Sequence, residues 1–85
     1  KDCRITAIRS GQTIRIPYVR GFHFSVFCHS DEAEGVTIEH AKYEIRNAKI
    51  TNGFPIGVSN SFVPGEDAVV GVQKGILVIV SNVGK

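Results

Sequence analysis

Apolar and polar residues alternate with a period of two along much of the chain, the spacing that puts one set of side chains on a single face of an extended strand. Cys3, Ile5 and Ala7 form one such set, Ile14, Ile16 and Tyr18 a second, and Phe22, Phe24, Val26 and Cys28 a third. Ser10-Gly11-Gln12, between the first two sets, reads as a three-residue hairpin connection. Arg20-Gly21 reads as a bend or bulge leading into the Phe-rich run. Ser30 to Gly35 is acidic and lacks branched apolar residues, so a loop is expected there, followed by strands over Val36–Ile38 and Lys42–Ile45. A helix over 31–46 is the competing reading, since Ala33, Glu34, Ala41 and Lys42 favour it; Thr37, Ile38, Tyr43 and Ile45 favour strand, and Gly35 interrupts. Ala48 to Thr51 reads as a further strand closed by a tight turn at Asn52-Gly53, where both residues tolerate a left-handed backbone.

From Phe54 to Gly71 the chain is punctuated by Pro55, Gly57, Pro64, Gly65 and Gly71, which makes it the longest loop-like region. Ile76-Leu77-Val78-Ile79-Val80 is apolar without alternation, as in a strand buried on both faces at the centre of a sheet. The expected fold is all-β, a small sandwich or barrel formed by residues 1–85 as one domain.

Composition narrows the function classes. At 85 residues, 42% hydrophobic and 21% charged, the chain has enough apolar content for one core and too little length for two. The longest apolar run, Gly75 to Val80, falls far short of the ~20 residues that cross a bilayer, and no basic-then-apolar signal segment leads the chain, so a soluble mature fragment with no membrane role is expected. A net charge of +2 is too small for the electrostatic footprint of a nucleic-acid binder. The charge is unevenly spread: Lys1 to Arg20 carry five basic residues and one acidic, whereas Gly21 to His40 carry Asp31, Glu32, Glu34 and Glu39 and no Lys or Arg. Such asymmetry can steer an encounter, or the two stretches can neutralise each other in the fold. Cys3 and Cys28 would close a loop of 26 residues. A disulfide there is worth roughly 3.5 kcal/mol in chain entropy, which a small core needs; the alternative is two buried free thiols.

Catalytic and metal chemistry find little support. Cys28 with His23 or His40 could form a nucleophilic pair, yet Cys28 alternates with apolar residues and no oxyanion-forming turn accompanies it. Asp31, Glu32 and Glu34 read as solvated loop charges rather than a paired acid and base. His23, His29 and His40 lack zinc-ligand spacing, and the glycines compose no phosphate loop, so no cofactor, metal or catalytic residue is expected. Arg15, Tyr18, Arg20, Phe22, His23 and Phe24 interleave basic and aromatic groups as an RNA-binding sheet does, but Phe22 and Phe24 share a face with Val26 and read as core. Thr13-Ile14-Arg15-Ile16 ends at Pro17, which has no N–H to donate, and this places the second strand on a rim of its sheet. Such a rim either accepts a partner strand or is protected by its proline and arginines against pairing.

Lys1-Asp2-Cys3-Arg4-Ile5, the turn residue Gly11 and the stretch Glu34 to Ala48 (EGVTIEHAKYEIRNA) resemble the MAX effectors, the family of Magnaporthe avirulence and ToxB-like secreted fungal proteins. That resemblance implies a sandwich of two three-stranded antiparallel sheets stapled by a disulfide. Cys3 matches its first cysteine, whereas Lys49 stands where the second belongs and Cys28 is the only other candidate. It implies a non-enzymatic secreted virulence or avirulence effector, monomeric, translocated into the host cell and binding a host plant protein such as a heavy-metal-associated domain through the second strand. Thr13, Ile14, Arg15, Ile16 and Arg20 are then the partner-binding residues, with Asp31, Glu32 and Glu34 secondary. Two alternatives come from other classes: a small secreted toxin or hydrolase inhibitor inserting the 54–71 loop around Phe62 and Val63, and an intracellular binding domain with two reduced thiols.

Overall fold

The computed structural model describes residues 2–21, 23–51 and 58–83. Eight strands run in chain order: β1 (Asp2–Arg9), β2 (Thr13–Ile16), β3 (His23–Cys28), β4 (Glu32–Glu39), β5 (Ile45–Thr51), β6 (Val58–Ser61), β7 (Ala68–Gly71) and β8 (Ile76–Val83). They form two four-stranded antiparallel sheets, ordered β1-β8-β3-β6 and β2-β7-β4-β5. Among the described strands, β4 and β5 are the one consecutive pair in the same sheet; the other consecutive strands alternate between the two sheets, and this interleaving is the eight-stranded double Greek key known as a jelly roll.

The sandwich expected from the alternation is therefore present, with four strands per sheet rather than three. Ser10-Gly11-Gln12 is not a hairpin turn: it passes the chain from β1 at the rim of one sheet to β2 at the rim of the other. The strand expected over Val36–Ile38 is present and reaches back to Glu32, into the stretch expected to be loop; no helix forms over 31–46, the strand expected over Lys42–Ile45 begins only at Ile45, and β6 and β7 lie within the region expected to be irregular. The Asn52-Gly53 turn falls outside the described residues.

Burial explains the two-layer arrangement. Phe24 and Val26 of β3, Leu77 and Ile79 of β8, Val36 and Ile38 of β4 and Val70 of β7 are almost completely removed from solvent between the sheets. Each buried side chain of this size contributes about 1.5–3 kcal/mol. β8 is central in its sheet, as its unbroken apolar run implied, with Leu77 and Ile79 inward and Val78 and Val80 half-buried on the outer face. β1 reverses the expected phase: Ile8 faces the core while Ile5 is 70% exposed and Ala7 also faces solvent. In β4 strict alternation breaks, because Ala33, Val36 and Ile38 are all buried. A bulge between Ala33 and Val36 supplies the phase change, and Gly35 absorbs it at φ 65°.

The staple between Cys3 and Cys28 is not formed. Cys28 has a free thiol, 3.0 Å from the Ser30 carbonyl oxygen that it can bond. Cys3 pairs with Asn82 and Cys28 with Leu77, on opposite flanks of β8 and five positions apart along it. That is about 17 Å of strand, against a usual Cα separation of about 4.4–6.8 Å across a disulfide.

Candidate functional site

The two ends of the sandwich are built differently. At one end the connections 10–12, 29–31 and 72–75 interlock through hydrogen bonds: Gly11 N–H to Val72 O (2.9 Å), His29 N–H to Ile76 O (2.9 Å) and Glu34 N–H to Lys74 O (2.7 Å). At the other end the 17–21 and 62–67 segments, which lead between the sheets in opposite directions, stand apart and leave a cleft of about 690 Å³.

Local sequence dictates its walls. Pro17 ends β2, and the next residue, Tyr18, donates its backbone N–H to Asp67 Oδ1 (2.8 Å), so the two connections are tied at one point. The Tyr18 ring meets Phe62 edge-on, with centroids 5.8 Å apart at 87°, and Phe62 in turn leans on the core residue Phe24 at 5.2 Å. A row of three aromatic rings thus runs from the centre of the sandwich to its surface. Val19 and Pro64 add apolar surface, while Arg20, His23 and Ser61 add polar groups.

The back of the cleft is held by a buried amide. Asn60 is 1% exposed; its Oδ1 accepts from Tyr43 N–H and Ser61 N–H (both 2.9 Å), and its Nδ2 donates to Tyr43 O (2.6 Å). Lys42 N–H donates to Ser61 O (2.8 Å), and Ala41 bridges Phe62. The 40–44 connection is therefore fastened against the end of β6, which fixes the position of Phe62. A second, shallower concavity of about 330 Å³ lies nearby, lined by Arg15, His40, Glu66, Asp67 and Val69. There His40 Nδ1 lies 2.9 Å from Glu66 Oε1, both side chains being about half exposed.

The residues expected from sequence are only partly brought together. Thr13, Ile14, Arg15 and Ile16 do lie on a rim strand, since β2 pairs with β7 alone; Thr13 and Arg15 face solvent, and Ile16 is buried in the core. Arg20 is separate from them, on the wall of the large cleft. Asp31, Glu32 and Glu34 are exposed at the interlocked end, Glu32 pairing with Lys49 at 3.3 Å. His23 and Cys28 occupy opposite ends of β3, and no group of His, Cys, Asp and Glu among the described residues is arranged to hold a metal ion. Sequence reasoning missed Phe62 as a cleft wall and Asn60 as its support. Pro17 was the available signal for the first element of the cleft, because it frees Tyr18 from the strand it otherwise continues.

Comparison with known proteins places this architecture. Residues 11–77 match the family model described as thiamin pyrophosphokinase, vitamin B1 binding domain, a span that holds both connections of the cleft. Among solved structures, thiamin pyrophosphokinase from Geobacillus thermodenitrificans superposes with a TM-score of 0.83 at 21% identity, over 98% of this chain and 38% of that one. The Bacillus subtilis enzyme gives 0.82 at 22% identity, over 100% of this chain and 40% of that one. A family protein from Enterococcus faecalis gives 0.72 at 19% identity, over 98% and 38%. No curated protein matches. The chain thus spans about two-fifths of the length of these structures, and at such identities the likeness carries the fold.

The family match overturns the effector reading. With it go secretion, translocation, the host plant protein or heavy-metal-associated domain as partner, and the toxin or inhibitor alternative, because all rested on the MAX resemblance or on a free loop over 54–71. Two strands occupy that region instead. The residues that resembled MAX effectors, 34–48, form the β4–β5 hairpin, an alternating pattern that any antiparallel sandwich can share. With most of its length matched, the chain belongs to the vitamin B1 binding domain family of thiamin pyrophosphokinase.

Proposed function

We propose that the cleft between the 17–21 and 62–67 segments holds thiamin, and that this chain supplies vitamin recognition to a thiamin pyrophosphokinase. The observation that carries the reading is the aromatic wall of Tyr18 and Phe62 inside the matched span. Thiamin consists of two flat heteroaromatic rings, one a cationic thiazolium, joined by a methylene, with a hydroxyethyl arm that receives the pyrophosphoryl group. A cleft of about 690 Å³ lies in the usual range for ligands of this size. The Tyr18 face offers the thiazolium a cation–π contact worth about 0.5–2 kcal/mol, and Val19 and Pro64 remove the ring edges from water. Ser61 and the exposed His23 offer hydrogen bonds to an aminopyrimidine. In this reading the cleft contributes vitamin recognition to an enzyme of the length of those structures, of which this chain spans about two-fifths.

Titrating thiamin into the 85-residue chain tests this directly. The chain has no Trp and two Tyr, one of them in the cleft, so tyrosine fluorescence and calorimetry both report occupancy. Saturable binding that Tyr18→Ala weakens by about tenfold and Tyr43→Ala leaves unchanged is the expected result, a loss of about 1.4 kcal/mol. Binding indifferent to Tyr18→Ala, or none, rejects the site.

A further inference from the structure

The two walls of the cleft part company where the β2–β7 ladder stops. Ile16 against Ala68 is its last pair, and one more step in the same register would set Pro17 against Asp67. Pro17 has no N–H with which to continue the ladder, and the next cross-link is made by a side chain: the Tyr18 backbone N–H donates to Asp67 Oδ1 at 2.8 Å. Asp67 is exposed and lines the neighbouring concavity with Arg15, His40, Glu66 and Val69, not the cleft itself. Its segment has a set shape, since Glu66 N–H donates to Val63 O (2.9 Å) across a turn with Gly65 at φ 82°, and Glu66 Oε1 lies 2.9 Å from His40 Nδ1. The Tyr18 ring is therefore held from two sides, by its edge-on contact with the buried Phe62 and by the bond that Asp67 makes to its backbone.

We infer that Asp67 is a positioning residue for the cleft, setting the Tyr18 ring for the incoming ligand through its acceptor oxygen and not through its charge. The inference rests on the cleft being the thiamin site. A carboxylate close to a site for a cation suggests attraction at a distance, but this one has an oxygen committed to an amide, and water and salt screen its exposed charge. What the bond supplies is order. A ring already in place when thiamin arrives costs nothing further to immobilise, whereas a ring on a backbone released from this cross-link must be ordered on binding. The folded chain itself loses little without the bond, because an exposed amide that gives up its partner is taken up by water. Binding and stability are thus separable at this residue.

The experiment titrates thiamin by calorimetry into the 85-residue chain carrying Tyr43→Phe. Tyr18 is then the one tyrosine and there is no Trp, so the tyrosine band in near-ultraviolet circular dichroism reports how firmly its ring is held. Asp67→Ala should flatten that band and weaken thiamin binding about fivefold, the size expected for ordering one side chain on binding, while the urea midpoint stays close to the parent's. Asp67→Asn, which keeps an acceptor oxygen and drops the charge, should keep both band and affinity. Glu66→Gln makes the same charge change on a carboxylate that pairs with His40 instead of Tyr18, and it should also leave both intact. A loss of band and affinity in Asp67→Asn, or a loss of affinity in Glu66→Gln equal to that in Asp67→Ala, assigns the effect to charge and overturns the inference. An Asp67→Ala chain with unchanged band and affinity overturns it as well, and so does one whose urea midpoint falls steeply, since the effect is then general loosening. Failure of the parent chain to bind thiamin rejects the site, and the dichroism band still decides whether Asp67 holds Tyr18.

Discussion

The interlocked end of the sandwich and the cleft end use the same material, short connections between sheets, to opposite effect. At the interlocked end, backbone and hydroxyl groups fill the space. Ser30 Oγ donates to Glu32 O (2.7 Å) and accepts from Ile76 N–H (3.0 Å), and Ser10 Oγ accepts from Gly75 N–H (2.9 Å). At the cleft end rings line the space, the hydrogen bonds of Asn60 and Lys42 fasten its back, and the two facing connections are tied to each other at Tyr18, with space left between them. A jelly roll must pass its chain back and forth between layers at both ends, and here one end carries the closure, which leaves the other free for a ligand.

The largest expected effect breaks the closed end. Gly75 has φ 115°, and a Cβ there would lie 2.6 Å from Glu32 O and 2.8 Å from Ala33 Cα, both backbone atoms that cannot step aside. Gly75→Ala should cost about 3 kcal/mol or more, from strain and overpacking together, and unfold at lower urea. Gly11 belongs to the same end with φ 83°, but nothing lies within 4 Å of the place a methyl would occupy, so Gly11→Ala should cost only about 1 kcal/mol. Equal losses in urea titrations would mean that backbone strain alone, not close packing, governs this end.

Next in size is the back of the cleft. Asn60→Ala removes partners from three backbone groups in a buried setting, at a cost of about 2 kcal/mol. It should also weaken thiamin binding severalfold, because Phe62 is positioned by the segment that Asn60 fastens. A variant equally destabilised at the closed end provides the control: if it weakens binding as much, the effect is general loosening, and Asn60 has no particular hold on the cleft.

The same contrast explains what could be read from the chain. β3 and β8 were legible because a strand packed against a core advertises itself locally, through alternation in Phe24 and Val26 and an unbroken run from Ile76 to Val80. Pro17 correctly marked β2 as a rim. The phase of β1 was not legible, since at a sheet edge its outward face carries Ile5 while Arg4 and Thr6 stand on the inward-facing side with Ile8. β6 and β7 are four residues each and flanked by Pro and Gly, so they read as loop. The turn at Gly11 looked like a hairpin because a crossing between layers and a reversal within one need the same left-handed residue. The cleft was least legible of all: Tyr18 and Phe62 are far apart in sequence and meet only through the crossing of two connections.

The smallest effect is expected from the charged groups around the cleft end. Arg46 bonds Glu39 Oε2 at 2.7 Å and Glu44 Oε1 at 3.4 Å, yet its side chain is 65% exposed. Water and salt screen such pairs, and holding a long side chain in one geometry costs rotamer entropy, so Arg46→Ala should lower stability by less than about 1 kcal/mol. Thermal unfolding at low and high salt checks this: the difference between variant and parent should be small at low salt and vanish at high salt. A loss as large as that of Gly75→Ala would mean that ion pairs carry the closure at the cleft end, and the division of labour between a locked end and an open one would have to be redrawn.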